Sequence, residues 1–166
     1  MRVFGIDPGS LKSGYGIVDS QGADLVLVEY GVIRTGPNLS LAQRLLRIST
    51  RLEELLRQYA PQEVAVEDLF VAKNAKSSLK LGHARGAILL TAAQAGLEVV
   101  EYTPLEVKQS VVGYGRADKS QVQQMVKVLL KLREIPRPDD AADALAIAIC
   151  HHHSAKMKRH IQNACV

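Results

Sequence analysis

The sequence predicts one domain of the α/β or α+β class, on three observations. At 166 residues the chain is long enough to bury a core yet short for two domains. Four or five short β-favouring runs are interspersed with four segments of helical periodicity. The first three runs are joined by connections too short for a crossover, which favours an antiparallel meander. The formal net charge of +4 points toward a polyanionic partner. Cys150 and Cys165 are the two cysteines, with no spacing for a disulfide framework or zinc site, so free thiols are expected. The N-terminus lacks a basic segment followed by an apolar one, and no run of 18 apolar residues occurs. The expectation is a cytoplasmic protein that does not enter a membrane.

Arg2–Val18 reads as strand, tight loop, strand. Val3, Phe4 and Ile6 form an apolar run that ends on Asp7, and Pro8-Gly9 turns the chain. Gly14 and Gly16 flank Tyr15 in the second strand, where another backbone or a phosphate can come close. Asp24–Thr35 is the third strand. Ser40 is an N-cap, and Leu41, Leu45, Ile48, Leu52, Leu55 and Tyr59 then form one helical face assigned to the core. Pro61 ends that helix, and E-V-A-V-E over 63–67 is a buried strand with Glu67 at its end.

Asp68–Ser78 is mixed, with lysines around Phe70. The helix from about Ala75 to Ala95 carries two apolar stripes, Leu79, Gly82, Gly86, Leu89, Leu90 and Ala93 against Leu81, Ala84, Ile88 and Ala92. One should meet its own core and the other a second copy or another element; the pattern does not choose between them. A strand follows at Leu97–Tyr102, then a short helix from Pro104 and the flexible basic loop Gly113–Arg116. Asp118–Arg133 is a basic amphipathic helix with Lys119, Lys127 and Lys131 on its polar side.

The last helix carries the chemistry. Asp139 is placed to cap it, while Asp140 and Asp143 share one face just before the apolar run A-L-A-I-A-I. An unpaired carboxylate at the edge of a core is costly, and a divalent cation with hard oxygen ligands resolves the conflict. If the strands are neighbours, Asp7, Glu67, Asp140 and Asp143 converge. Four carboxylates around two cations could activate water and stabilise the leaving oxygen of a phosphodiester.

The blocks G-I-D-P-G-S at 5–10, V-E-D-L-F-V-A-K-N at 66–74, L-K-L-G-H-A-R-G at 79–86, V-K-Q-S-V-V-G-Y-G at 107–115, A-D-K-S-Q-V at 117–122 and D-A-A-D-A-L-A-I-A at 140–148 occur in that order. The chain thereby resembles the RuvC-type Holliday junction resolvases of the ribonuclease H-like superfamily. The resemblance runs to about His153. It implies a ribonuclease H-like α/β fold, a five-stranded mixed sheet of three antiparallel and two parallel strands with helices on both faces. It implies a nuclease domain over 1–154 and leaves 155–166 as a disordered tail. Carried over by position, the family's catalytic and metal-binding carboxylates fall on Asp7, Glu67, Asp140 and Asp143. The implied cofactor is Mg²⁺, two per active site, with Mn²⁺ able to substitute. The implied partners are a four-way DNA junction, a second copy in a homodimer, and a branch-migration motor complex of the RuvA and RuvB type. The implied products are paired symmetric nicks with 5′-phosphate and 3′-hydroxyl ends, in homologous recombination and DNA repair.

Lys119 could support charge on the phosphate in the transition state and, like Lys108, matches a family DNA-contact lysine. Lys73, Lys76 and Arg85 could hold backbone phosphates, and Phe70 could stack on an unpaired base at the junction centre. His151, His152 and His153 invite a metal reading. His151, however, lies roughly 12 Å along the helix from Asp143, so a solvated helix end is expected instead. Two other readings of the chain are a related nuclease acting on RNA or other branched DNA, and a junction-binding scaffold without catalysis.

Overall fold

The computed structural model describes residues 1–68 and 75–164, with side chains over 1–68 and 77–155. In chain order the elements are β1 (Arg2–Asp7), β2 (Lys12–Gln21), β3 (Asp24–Arg34), α1 (Leu41–Tyr59), β4 (Glu63–Glu67), α2 (Ala75–Gln94), β5 (Glu98–Tyr102), α3 (Pro104–Val112), α4 (Lys119–Leu129) and α5 (Asp139–Ala164). The strands form one sheet of order β3-β2-β1-β4-β5. β1, β2 and β3 are the antiparallel meander, and β4 and β5 extend it in parallel from β1. This is the mixed five-stranded sheet that the family resemblance implies, and its first three strands are the meander read from the short connections.

Strand parity sorts the side chains between two cores. Phe4, Ile6, Ile17, Val64 and Val66 face α1 and α2, joining Ile48, Leu52, Leu55, Ala84, Ile88 and Ala92. Val3, Val18, Ala65 and Tyr102 face the other way, onto Val107, Val122, Val126 and the apolar run of α5. Helices therefore cover both faces. The same parity puts Gly5 and Asp7 of β1, and Glu63 and Glu67 of β4, on the α5 side.

α5 lies against the sheet because glycines make room for it. A Cβ on Gly5 would collide with the Ala144 carbonyl, one on Gly14 with the Asp140 carbonyl, and one on Gly16 with the Leu145 side chain at 2.7 Å. The close approach expected at Gly14 and Gly16 is thus made by a helix backbone. On α5 the complementary signal is small residues, Ala141, Ala144 and Ala148, all fully buried.

Several sequence expectations are corrected. Asp139 does not cap α5; the Ala141 and Ala142 amides donate to the Pro138 carbonyl, so Asp139 already lies inside the helix. α4 ends at Leu129 rather than Arg133, because Lys131 turns to a φ of 54° while Leu132 N–H closes back onto Lys127 O. Leu41, assigned to the core, is 38% exposed at the first turn of α1. Helix α5 continues to Ala164, past the end expected at Ser154, through a segment with no Gly or Pro to stop it.

The histidine run is also not a solvated helix end. His151 and His152 are buried, because α5 crosses the sheet at this point. His151 Nε2 stands 2.5 Å from Glu63 Oε2 and its Nδ1 3.1 Å from the Tyr102 hydroxyl. His152 donates from Nε2 to the Val18 carbonyl at 2.9 Å. The run is structural, and the three residues have separate partners.

Candidate active site

Asp7 and Glu67 end adjacent parallel strands, one step beyond the last matched pair, Ile6 with Val66. Both are terminal residues on the α5 face, so neighbouring strands about 4.8 Å apart carry two carboxylates side by side. Across the sheet Asp7 pairs with Gly14, and Gly14 is the residue on which the Asp140 backbone rests. Asp143 follows three residues later, on the same side of the helix. Glu67 and Asp143 line one cavity of about 240 Å³ together with Lys108 and Lys119, against Pro104, Val107, Val122 and Ala146.

The electrostatics register this crowding. Burial, then the charges of Glu67, Asp143 and Asp140, push the Asp7 carboxyl up to about 8, with Lys119 opposing. Burial and the charge of Asp143 raise Glu67, against Lys119 and Lys108. Asp143 is raised by burial even though it accepts a 2.7 Å hydrogen bond from Lys119 Nζ. Burial disfavours the charge on Lys119, but the hydrogen bond and charge of Asp143, with Asp139 and Asp7, outweigh it and raise its pKa.

Among the described residues no three His, Cys, Asp or Glu side chains already form a metal cage. The donor set nevertheless fits hard divalent cations. It offers only carboxylate oxygens, partly desolvated, with a surplus of negative charge that Lys119 and Lys108 offset in part.

The remaining expected residues divide. Lys108 and Lys119 are in the cleft. Arg85 is turned inward, its side chain 17% exposed and its guanidinium paired with Asp68 and Glu101. Phe70 and Lys73, and the side chain of Lys76, lie outside the described residues. The sequence reading missed Asp139 as an ion-pair residue. It meets Arg137 at 2.5 Å and Lys119 at 3.9 Å, and the signal was the basic Arg137 two residues before it in R-P-D-D.

The sequence model of the family described as crossover junction endodeoxyribonuclease RuvC matches residues 3–151. The chain belongs to the RuvC family. Relatives carrying that name include one from Geobacter sp. (strain M21), 56% identical with 95% of each chain covered. Another, from Caldicellulosiruptor saccharolyticus, is 53% identical over 91% of this chain and 92% of its own. Among solved structures, Thermus thermophilus RuvC in complex with a Holliday junction substrate matches with a TM-score of 0.91 at 42% identity, covering 95% of this chain and 96% of that one. The yeast mitochondrial Holliday junction resolvase Ydc2, at 16% identity and a TM-score of 0.69, shares the fold. Among the described residues no helix is long and apolar enough to cross a membrane.

Proposed function

We propose that this protein is a metal-dependent endonuclease that resolves four-way DNA junctions by paired symmetric nicks. The observation that carries the reading is the cleft in which Glu67 and Asp143 meet Lys108 and Lys119, electrostatically coupled to Asp7 and Asp140. The junction complex of the Thermus relative supports the same substrate.

In this reading Asp7, Glu67, Asp140 and Asp143 hold two Mg²⁺ ions, with Mn²⁺ as a substitute. Bound there, the ions would activate water and stabilise charge on the leaving oxygen of the phosphodiester. The chain's own residues do the rest. Gly14 seats Asp140 on one side of Asp7, and the parallel register seats Glu67 on the other. The Lys119 ammonium stabilises charge on the scissile phosphate. Lys108 holds an adjacent backbone phosphate, which fixes register but reads no sequence. Phe70 stacks on an unpaired base at the junction centre, and Lys73 and Lys76 hold phosphates beside it. Arg85 contributes from behind by fixing Asp68, just past the Glu67 strand end, and Glu101 on the neighbouring strand β5.

The products are 5′-phosphate and 3′-hydroxyl ends, in recombination and repair in the cytoplasm, with a branch-migration motor as partner. Residues 1–154 form the nuclease domain. Paired nicking needs two sites related by a two-fold axis, hence a homodimer. The two stripes of α2 are now distinguished. Ala84, Ile88 and Ala92 are buried, whereas Leu79 and Leu90 are 64% and 59% exposed and Gly86 has open space beside it. The outer stripe is the one offered to a second copy.

The test is incubation with labelled four-way junction, linear duplex and RNA–DNA hybrid, with and without Mg²⁺. Symmetric cutting of the junction alone, only with the metal, is the expected result. Cutting of the hybrid in preference would move the assignment to an RNA nuclease. Tight junction binding without any cutting would leave a scaffold.

A further inference from the structure

We propose that Asp139 is a positioning residue for Lys119, giving its ammonium a second seat when Asp143 takes up a cation; this rests on the metal-dependent reading above. Lys119 Nζ now donates to Asp143 Oδ2 at 2.7 Å, so the protein's own cation occupies a carboxylate assigned to the metal. A divalent ion and an ammonium on one carboxylate repel each other, and Lys119 must move. Its side chain is 54% exposed and rooted at the first position of α4, so it has room to swing.

Outside the four-carboxylate set, the acid within ion-pair distance among the described residues is Asp139, whose Oδ2 is 3.9 Å from Nζ. That carboxylate is itself held. Its Oδ1 accepts from Arg137 Nη1 at 2.5 Å, and it sits in the first turn of α5, where the helix's amino end favours negative charge. One oxygen is anchored while the other faces Lys119. Asp139 precedes Asp143 by about one helical turn, so the two carboxylates flank the ammonium, and a shift of roughly 1 Å toward Asp139 Oδ2 brings Nζ into hydrogen-bond range. The ammonium remains at the cleft that Lys119 lines, ready for a phosphate. Without Asp139 the alternative seat is lost, Lys119 keeps its hold on Asp143, and the cation has to compete harder.

The test is calorimetric Mn²⁺ binding without DNA, at fixed pH and salt, on the full chain and on Asp139→Asn, Lys119→Met and the double variant. Asp139→Asn should weaken Mn²⁺ binding about three-fold, the size of an exposed ion pair, while Lys119→Met tightens it. In the Lys119→Met background Asp139→Asn should lose most of its effect, and Asp139→Glu should restore binding in the original background. Equal weakening by Asp139→Asn in both backgrounds would overturn the inference, since Asp139 would then act by its field alone. Absence of Mn²⁺ binding in the unmodified protein would overturn the metal reading as well.

Discussion

Gly14 and Asp140 meet backbone to backbone, so that a single methyl group on Gly14 would overlap the Asp140 carbonyl. Because Gly14 is also the cross-strand partner of Asp7, this contact sets the distance between the first and third carboxylates. Gly14→Ala should therefore push α5 off the sheet just where the site is assembled. Overpacking against backbone costs about 1–3 kcal/mol, which for a chain of this size lowers Tm by roughly 3–10 °C. Mg²⁺-dependent cleavage, assayed well below that Tm, should fall by on the order of 10²-fold, because misplacement at the site exceeds the global loss. A Gly14→Ala protein with unchanged Tm and full activity would show that the contact does not position Asp140.

Asp7→Asn separates the cost of the site from its use. With its carboxyl raised to about 8 by burial and by Glu67, Asp143 and Asp140, folded metal-free protein retains a proton that the unfolded chain releases. Such a group stabilises the fold least at high pH: its contribution declines as pH rises from the unfolded value through about 8. Asp7→Asn removes that decline. The Tm difference, variant minus unmodified, should be small near pH 4 and grow to several degrees by about pH 8 without metal. Cleavage should fall by on the order of 10²-fold or more, with junction binding kept or tightened as phosphate repulsion is relieved. Near-normal cleavage in Mg²⁺ would remove β1 from the catalytic machinery.

Much of this site was legible because its signals are local. An apolar run that ends on Asp7 or Glu67, and two aspartates three apart before A-L-A-I-A-I, need only strand and helix periodicity to be recognised. Gly14 and Gly16 signalled close approach, though whether to a phosphate or a helix depends on what packs there. The remainder depended on long-range partners. Nothing near Arg85 in sequence shows that Asp68 and Glu101 will enclose it, and nothing near His151 shows Glu63 or Tyr102. Periodicity showed that α2 has two apolar faces but gives relative orientation only; which face is inward is fixed by the sheet below it.

His151 should matter for stability and not for chemistry. In the arrangement that satisfies all three groups, the Tyr102 hydroxyl donates to Nδ1 and Nε2–H donates to the Glu63 carboxylate. His151→Phe keeps much of the ring's bulk and removes the hydrogen bonds to Glu63 and the Tyr102 hydroxyl, for about 1–3 kcal/mol and a Tm loss of roughly 3–10 °C. Junction cleavage at low temperature should stay near normal, since the site lies two turns away along α5. A lost cleavage rate with unchanged Tm would instead place this cluster in the reaction.

The two faces of α2 give opposite outcomes for the same new charge. Ile88 is fully buried against the sheet, so Ile88→Glu puts an unpaired carboxylate into the core and should prevent folding. Gly86 has nothing within 4 Å of a Cβ, and replacing a mid-helix glycine improves helix propensity by about 0.5–1 kcal/mol. Gly86→Glu should therefore fold with an unchanged or slightly higher Tm. If the outer stripe is the two-fold interface, two such helices would face each other with like charges at their centre, and the protein should sediment as a monomer. Each active site would remain intact, so nicking should persist while the two cuts lose their coupling. Unmodified protein that is monomeric at micromolar concentration and still cuts in pairs would sink the dimer, and Leu79 and Leu90 would then need another occupant.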